Sequence, residues 1–226
     1  MKQEVKKILI PVLIGVLLLV MAVTFASFYT SASTQEDVST GTLDIALVQE
    51  GGENGKVIQG DSKTSGGIAY AGMPGAKIDE KVAVRNDGGQ DAYVRVIINR
   101  SWYRDGKKVA DADINPRDIG IVTDTSGSDW FIDETSDPNG EQVICYYKRP
   151  LQPGAQTSNV MNAFTILADK VNENSNKYAG LSTEIKYKAY GVQSIGDKKA
   201  MLAEWGVVAD FDGNGVMTSM PVEQHD

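Results

Sequence analysis

The stretch "PGAKIDEKVAVRNDGGQDAYVRVIINRSWY", Pro74 to Tyr103, carries the clearest structural pattern in the chain. Successive side chains of a strand point to opposite faces, so Ile78, Glu80, Val82 and Val84 share one face of an extended segment. Val94, Val96 and Ile98 share one face of the next. Between them "NDGGQD" has the Asn, Asp and Gly content of a turn joining two strands. Working outward, further strands are expected in "GIVTD" (120–124), "WFID" (130–133), "QVICYYKR" (142–149), "NAFTILADKV" (162–171) and "STEIKYKAYGVQ" (182–193), each bounded by Gly, Pro, Asn or Asp. Many short strands without alternating long helices predict an all-β antiparallel sandwich, not a doubly wound α/β fold.

Upstream, "STGTLDIAL" (39–47) also alternates, with Leu43, Ile45 and Leu47 on one face and Thr42, Asp44 and Ala46 on the other. Residues 49–75 are rich in Gly, Asp, Ser and Lys, with short apolar punctuation at Val57-Ile58 and Ile68-Ala69-Tyr70. They read as a long exposed loop carrying short strand pieces. One helix is expected near the C-terminus, "DKKAMLAEWG", with Asp197 as N-cap and Gly206 just past its end.

The composition narrows the function. The first 26 residues hold Lys2, Lys6 and Lys7 against Glu4, a net +2, so the remainder carries −10 where the whole chain of 226 residues has −8. Phosphate neutralisation needs clustered Lys and Arg, which excludes a nucleic-acid partner. The sign is also wrong for docking on anionic lipid. The chain has one His, His225, and one Cys, Cys145. A catalytic zinc needs about three protein ligands, commonly His, and triads of the Ser-His-Asp or Cys-His kind would all depend on that terminal His. No catalytic residues and no required cofactor are expected. Cys145 reads as a small buried apolar residue in a strand, the alternative being an exposed thiol. Trp102, Trp130 and Trp205, far apart in sequence, read as separate core anchors and not as a carbohydrate-stacking set.

At the N-terminus "MKQEVKK" is followed by a run with no charge from Ile8 until Glu36. That length would span a bilayer as a transmembrane helix. The flanking lysines and the small residues Thr24 and Ala26, with Ser27 following, favour a signal peptide cleaved after Ala26. The reading divides the chain into a signal segment (1–26), a flexible arm (27–41), the sandwich (42–208) and a polar tail (209–226). Membrane contact is then confined to the N-terminal segment before cleavage.

"TFASFYTSASTQEDVSTGTLDI" resembles the N-terminus of the TasA and camelysin group of Gram-positive exported proteins, in which a small-residue cleavage site is followed by an aromatic, about a dozen polar residues, then "GTLD" and an aliphatic. Phe28, Gly41, Thr42, Leu43, Asp44 and Ile45 match that arrangement. "PGAK" with "VRNDGGQDAYVRV", and "EIKYKAYGVQ" before "AEWG", are similar to later segments of the group. The resemblance implies a jelly-roll-type sandwich, processing by a SipW-type signal peptidase, secretion to the cell surface or matrix, and self-association into biofilm-matrix fibres, with Leu43, Ile45 and Leu47 on the assembly strand. It also brings a peptidase alternative, since some camelysin relatives are described as zinc metallopeptidases. A monomeric surface module binding a glycan or host protein is a further alternative.

The C-terminal "DFDGNGVMTSMP" looks like an EF-hand calcium loop: Asp210, Asp212 and Asn214 stand at positions one, three and five, Gly215 at six, Val216 at seven and Thr218 at nine. Pro221 replaces the bidentate acid at twelve. The pattern therefore predicts weak Ca2+ binding in the millimolar range, the alternative being a polar Gly-rich tail.

Overall fold

A computed structural model describes residues 42–51, 55–71, 73–123, 129–173, 175–195 and 197–224. The expected signal segment with Thr24, Ala26 and Ser27, and the arm to Gly41, lie outside the described residues. The strands are β1 (Ile45–Gly51), β2 (Lys56–Gln59), β3 (Ser65–Tyr70), β4 (Lys77–Asn86), β5 (Ala92–Arg104), β6 (Lys107–Lys108), β7 (Ile119–Val122), β8 (Trp130–Asp133), β9 (Gln142–Tyr147), β10 (Met161–Ile166), β11 (Ser182–Gln193), β12 (Val207–Val208) and β13 (Val222–Glu223). Helices α1 (Ala168–Glu173), α2 (Ser175–Tyr178) and α3 (Asp197–Trp205) complete the set, with a 3-10 turn at Pro116–Asp118.

Apart from the β12–β13 pair, the strands form two antiparallel sheets around the larger apolar core, as the alternation predicts. One has the order β1-β4-β10-β7; the other runs β2-β3-β11-β5-β9-β8, with β6 beside β5. Ile78, Val82 and Val84 of the first sheet meet Val94, Val96 and Ile98 of the second in that core. β5 and β11 pair along their whole length, from Ser182 opposite Tyr103 to Gln193 opposite Ala92. The chain changes sheet repeatedly, going from β1 to β2 and β3, back to β4, and across again to β5.

That last step departs from a simple hairpin. β4 pairs with β1 and β10, while β5 pairs with β11 and β9, so "NDGGQD" carries the chain over the edge of the sandwich from one sheet to the other. Asn86 makes this corner possible. Its fully buried side chain donates to the carbonyls of Gln90 and Leu151, each at 2.8 Å, and accepts the Gly88 N–H at 2.9 Å. The amide replaces the ladder bonds that a crossing chain gives up.

Other expectations need correction. The strand pieces expected at Val57-Ile58 and Ile68-Ala69-Tyr70 are present as β2 and β3, but the region 49–75 is not an exposed loop: β1 runs on to Gly51, and β2 and β3 form a hairpin whose Ile68 is fully buried and whose inner strand pairs with β11. Gly66 and Gly67 hid it, since glycines give no alternation to read. A Cβ on Gly67 would stand 2.5 Å from the Ile185 carbonyl oxygen, so close approach of β3 to β11 requires glycine there. The segment 162–171 is strand only to Ile166 and then turns into α1, which makes α3 one of three helices among the described residues. Gly206 follows α3 with φ +68°, the left-handed position expected after a helix end.

Nor is residue 208 a boundary. Gly41–Asp226 is one compact unit, and α3 with the segment after it packs over the outer face of the larger sheet. There Met201, Val207, Ala209 and Met217 join Tyr93, Tyr146 and Val192 in a second, smaller core.

Candidate functional site

β1 lies at the edge of the four-stranded sheet. It pairs with β4 from Ile45 opposite Asn86 to Gly51 opposite Glu80, and with no strand on its other side among the described residues. Of the three residues singled out by alternation, Ile45 is buried in the core and Leu47 packs half-buried against it, while Leu43 precedes the strand and is exposed. Ile45 and Leu43 lie over Gly191 of β11, where an added Cβ would come within 3.2 Å of Ile45. All three therefore bear on this chain's own sandwich.

The residues just before β1 cross the 86–91 corner. Gly89 N–H donates to the Thr42 carbonyl at 3.1 Å and Asp87 N–H to the Asp44 carbonyl at 2.7 Å. A Cβ on Gly88 would stand 2.3 Å from the Thr42 oxygen, so this position must be glycine for the crossing to close. The "GTLD" and "NDGGQD" motifs, some forty residues apart, are thus one structural unit. Charges rim it: Lys63 pairs with Asp44 and lies 3.8 Å from Asp87, whose carboxyl the Arg85 guanidinium at 2.6 Å holds below its ordinary pKa.

Beyond the outer edge of β1 lies a groove of about 380 Å³, bordered by Leu47, Gln49 and Gly51 on one side and Ile58, Gly60 and Gly66 on the other. Lys63 reaches in from the connecting turn, its carbonyl accepting the Leu47 N–H at 2.8 Å. An edge strand of alternating pattern beside an open groove is a place where a further strand can add.

The 210–218 segment forms a tight hairpin. Phe211 bridges Met217, and Gly215, with φ +75°, turns the chain. The Asp212 carboxylate accepts the Asn214 N–H at 2.8 Å and the Val216 N–H at 2.9 Å. The Val216 carbonyl accepts from Asp212 N–H, and Thr218 N–H donates to the Asp210 carbonyl. Two of the oxygens named for calcium, Asp212 Oδ1 and the Val216 carbonyl, thereby also close the hairpin. The hairpin docks through Tyr93, whose hydroxyl donates to the Gly215 carbonyl at 2.7 Å and whose ring lies 5.2 Å from Phe211.

Cys145 is buried and burial pushes its thiol pKa far up, which leaves it an apolar core residue. Trp102 and Trp130 are also core, each with its indole N–H on a backbone carbonyl, of Asn115 and Ser158 respectively. Trp205 lies apart from both, over Arg95 on the outer face. The three do not converge on one surface. Asn86, Gly88 and the buried Glu80 had no functional weight in the sequence, although alternation put Glu80 on the same face as Ile78, Val82 and Val84.

No family model, curated protein or solved structure matches this chain.

Proposed function

We propose that this protein is a secreted, non-catalytic structural subunit of extracellular or biofilm-matrix fibres, of the TasA and camelysin kind, which assembles with itself by strand donation. The observation that carries the proposal is the placing of β1. The strand that directly follows the arm is an edge strand, it is reached through a glycine-dependent crossing, and its outer backbone faces a groove. An incoming strand would satisfy edge N–H and C=O groups and bury alternate side chains. Because the arm and the groove are different surfaces of one subunit, such a contact is heterologous and propagates instead of closing as a dimer. The repeated change of sheet along the chain supports a jelly-roll-type sandwich.

In this reading the protein is released by a SipW-type signal peptidase cleaving after Ala26, acts at the cell surface or in the matrix, and needs no cofactor. The 210–218 hairpin is at most a weak calcium site. The test compares the processed protein from Ser27 with a variant lacking Ser27 to Thr40 and starting at Gly41. Electron microscopy is expected to show fibres for the first, and the second should remain a folded monomer. Unchanged fibres from the shortened chain would overturn strand donation. A second check is Ala26→Arg, which blocks the small-residue pocket of signal peptidases and should leave the protein on the membrane.

A further inference from the structure

The outer edge of β1 is already occupied at one place. Backbone groups alternate in direction along a strand, so Ala46, Val48 and Glu50 face β4 while Leu47, Gln49 and Gly51 turn outward. The Leu47 N–H donates to the Lys63 carbonyl at 2.8 Å. Neighbouring strands lie about 4.8 Å apart, so a backbone that accepts this bond stands where the next strand would run. A further strand cannot pair along β1 through Leu47 while Lys63 is there.

Lys63 belongs to the turn 60–64 between β2 and β3, strands of the other sheet. The next residue, Thr64, accepts the Ala189 N–H of β11 at 2.8 Å, so two successive carbonyls of one turn reach the two sheets. The turn holds its own shape: Ser65 N–H donates to the Ser62 carbonyl at 3.1 Å, and the Ser65 hydroxyl donates to Asp61 at 2.7 Å. Its hold on the β1 side rests on Lys63. Besides the carbonyl bond, the Lys63 ammonium pairs with Asp44, just ahead of β1, and lies 3.8 Å from Asp87 in the corner. Deeper between the sheets Gln49 Nε2 donates to the Gly67 carbonyl at 3.0 Å, and the Glu80 carboxyl and Tyr187 hydroxyl are buried. Those are side-chain groups, and they leave the outward backbone of β1 uncovered.

We propose that the turn 60–64 is a strap over the edge of β1, fastened there by Lys63, and that the incoming strand of a second copy reaches Leu47 only after Lys63 has let go. The gating of assembly rests on the strand-donation reading above; the cover over Leu47 belongs to the monomer. A loop laid over an edge strand prevents unregulated pairing. Lys63, Asp44 and Asp87 are all partly exposed, so salt screens their attraction and the strap loosens as ionic strength rises.

Lys63→Glu, which sets a like charge against Asp44 and Asp87, tests the strap. In hydrogen exchange of the full-length chain, kept dilute, the wild-type Leu47 amide is expected to be protected, and in the variant to open roughly tenfold more often, while the β5–β11 ladder keeps its protection. Adding Asp44→Lys to Lys63→Glu reverses the pair and should return the Leu47 amide toward its wild-type rate. In the processed protein from Ser27, Lys63→Glu should shorten the lag before fibres appear, followed by light scattering and electron microscopy. An unprotected Leu47 amide in the wild type, or the same exchange in Lys63→Glu, overturns the strap, and an unchanged or longer lag overturns its gating of assembly. If neither protein forms fibres, strand donation falls, and the exchange of Leu47 still decides whether the strap exists. Should Lys63→Glu fail to fold, Lys63→Gln, which removes the charge without adding a like one, gives the same comparison.

Discussion

Arg100 on β5 and Glu80 on β4 both point between the sheets, at 1% and 0% exposure, yet the core serves them differently. Arg100 donates to the Gly140 carbonyl at 2.8 Å, to the Ile119 carbonyl at 3.0 Å and to Glu134 at 3.3 Å. Glu80 has none of this. The receiving end around Arg100 is itself built up: against the desolvation that raises it, backbone N–H groups of Gln142, Asn139 and Glu141 hold the Asp137 carboxyl below its ordinary pKa. Arg117 lies over Gly140 and donates to the Asp137 carbonyl at 3.0 Å. A guanidinium cannot shed its charge, so it persists in a core only where acceptors are fixed in place. A carboxyl can take up a proton instead, and Glu80 is left with glycines, a groove, one phenol and one amide. One buried charge is held by fixed acceptors, and the other group is left to protonate.

The sharpest way to break this comparison is Arg100→Met. It strands the Gly140 and Ile119 carbonyls and leaves Glu134 without its partner, and is expected to cost about 3–5 kcal/mol in chemical denaturation at neutral pH. A loss below about 1 kcal/mol would mean that the two buried groups do not differ in this way.

The next largest effect concerns pH. The folded pKa of Glu80 lies above the unfolded one, so its contribution is fully present below pH 4.5 and is lost as pH rises to about 7. The slope is about 1.4 kcal/mol per unit, for roughly 3 kcal/mol in all. Denaturation at pH 4.5 and pH 8 should show wild type losing that much more than Glu80→Gln over the interval. Equal losses would remove Glu80 from the account.

Gly88→Ala probes the opposite end of β1 from Glu80, beside Ile45. Its Cβ would press on the Thr42 oxygen at 2.3 Å, and we expect a cost of about 2 kcal/mol, with faster proteolysis ahead of β1 and an unchanged 133–141 loop. The smallest effect is expected for Tyr93→Phe, which removes the bond to the Gly215 carbonyl. About 1 kcal/mol of stability and earlier release of the C-terminal hairpin are expected, with the Glu80-dependent loss of stability between pH 4.5 and 8 unchanged.

Much of the sandwich was legible because inward and outward residues alternate within each strand. Ile78, Glu80, Val82 and Val84 were assigned one face, and all four are buried there. Of β3 only Ile68 to Tyr70 could be read, because Gly66 and Gly67 carry no side chains to alternate. The 209–226 tail escaped because its few apolar residues, Met217 among them, find their contacts on Tyr93, Tyr146 and Val192, remote in sequence. Of the candidate site, Leu43, Ile45 and Leu47 could be named in advance, but not their seat over Gly191 or the Gly88 crossing.

What the sequence determined by itself was therefore whatever depends on neighbours along the chain: strand faces, turn chemistry, and an acidic character with a single histidine. Which sheet each strand joins was decided only by tertiary structure, because pairing is a contact between distant segments, as where Ala92 meets Gln193. The same holds for the charges. Alternation turns Arg100 and Glu80 inward, but whether a buried charge meets acceptors, or only a phenol and an amide, depends on what the facing sheet and its loops bring to that point.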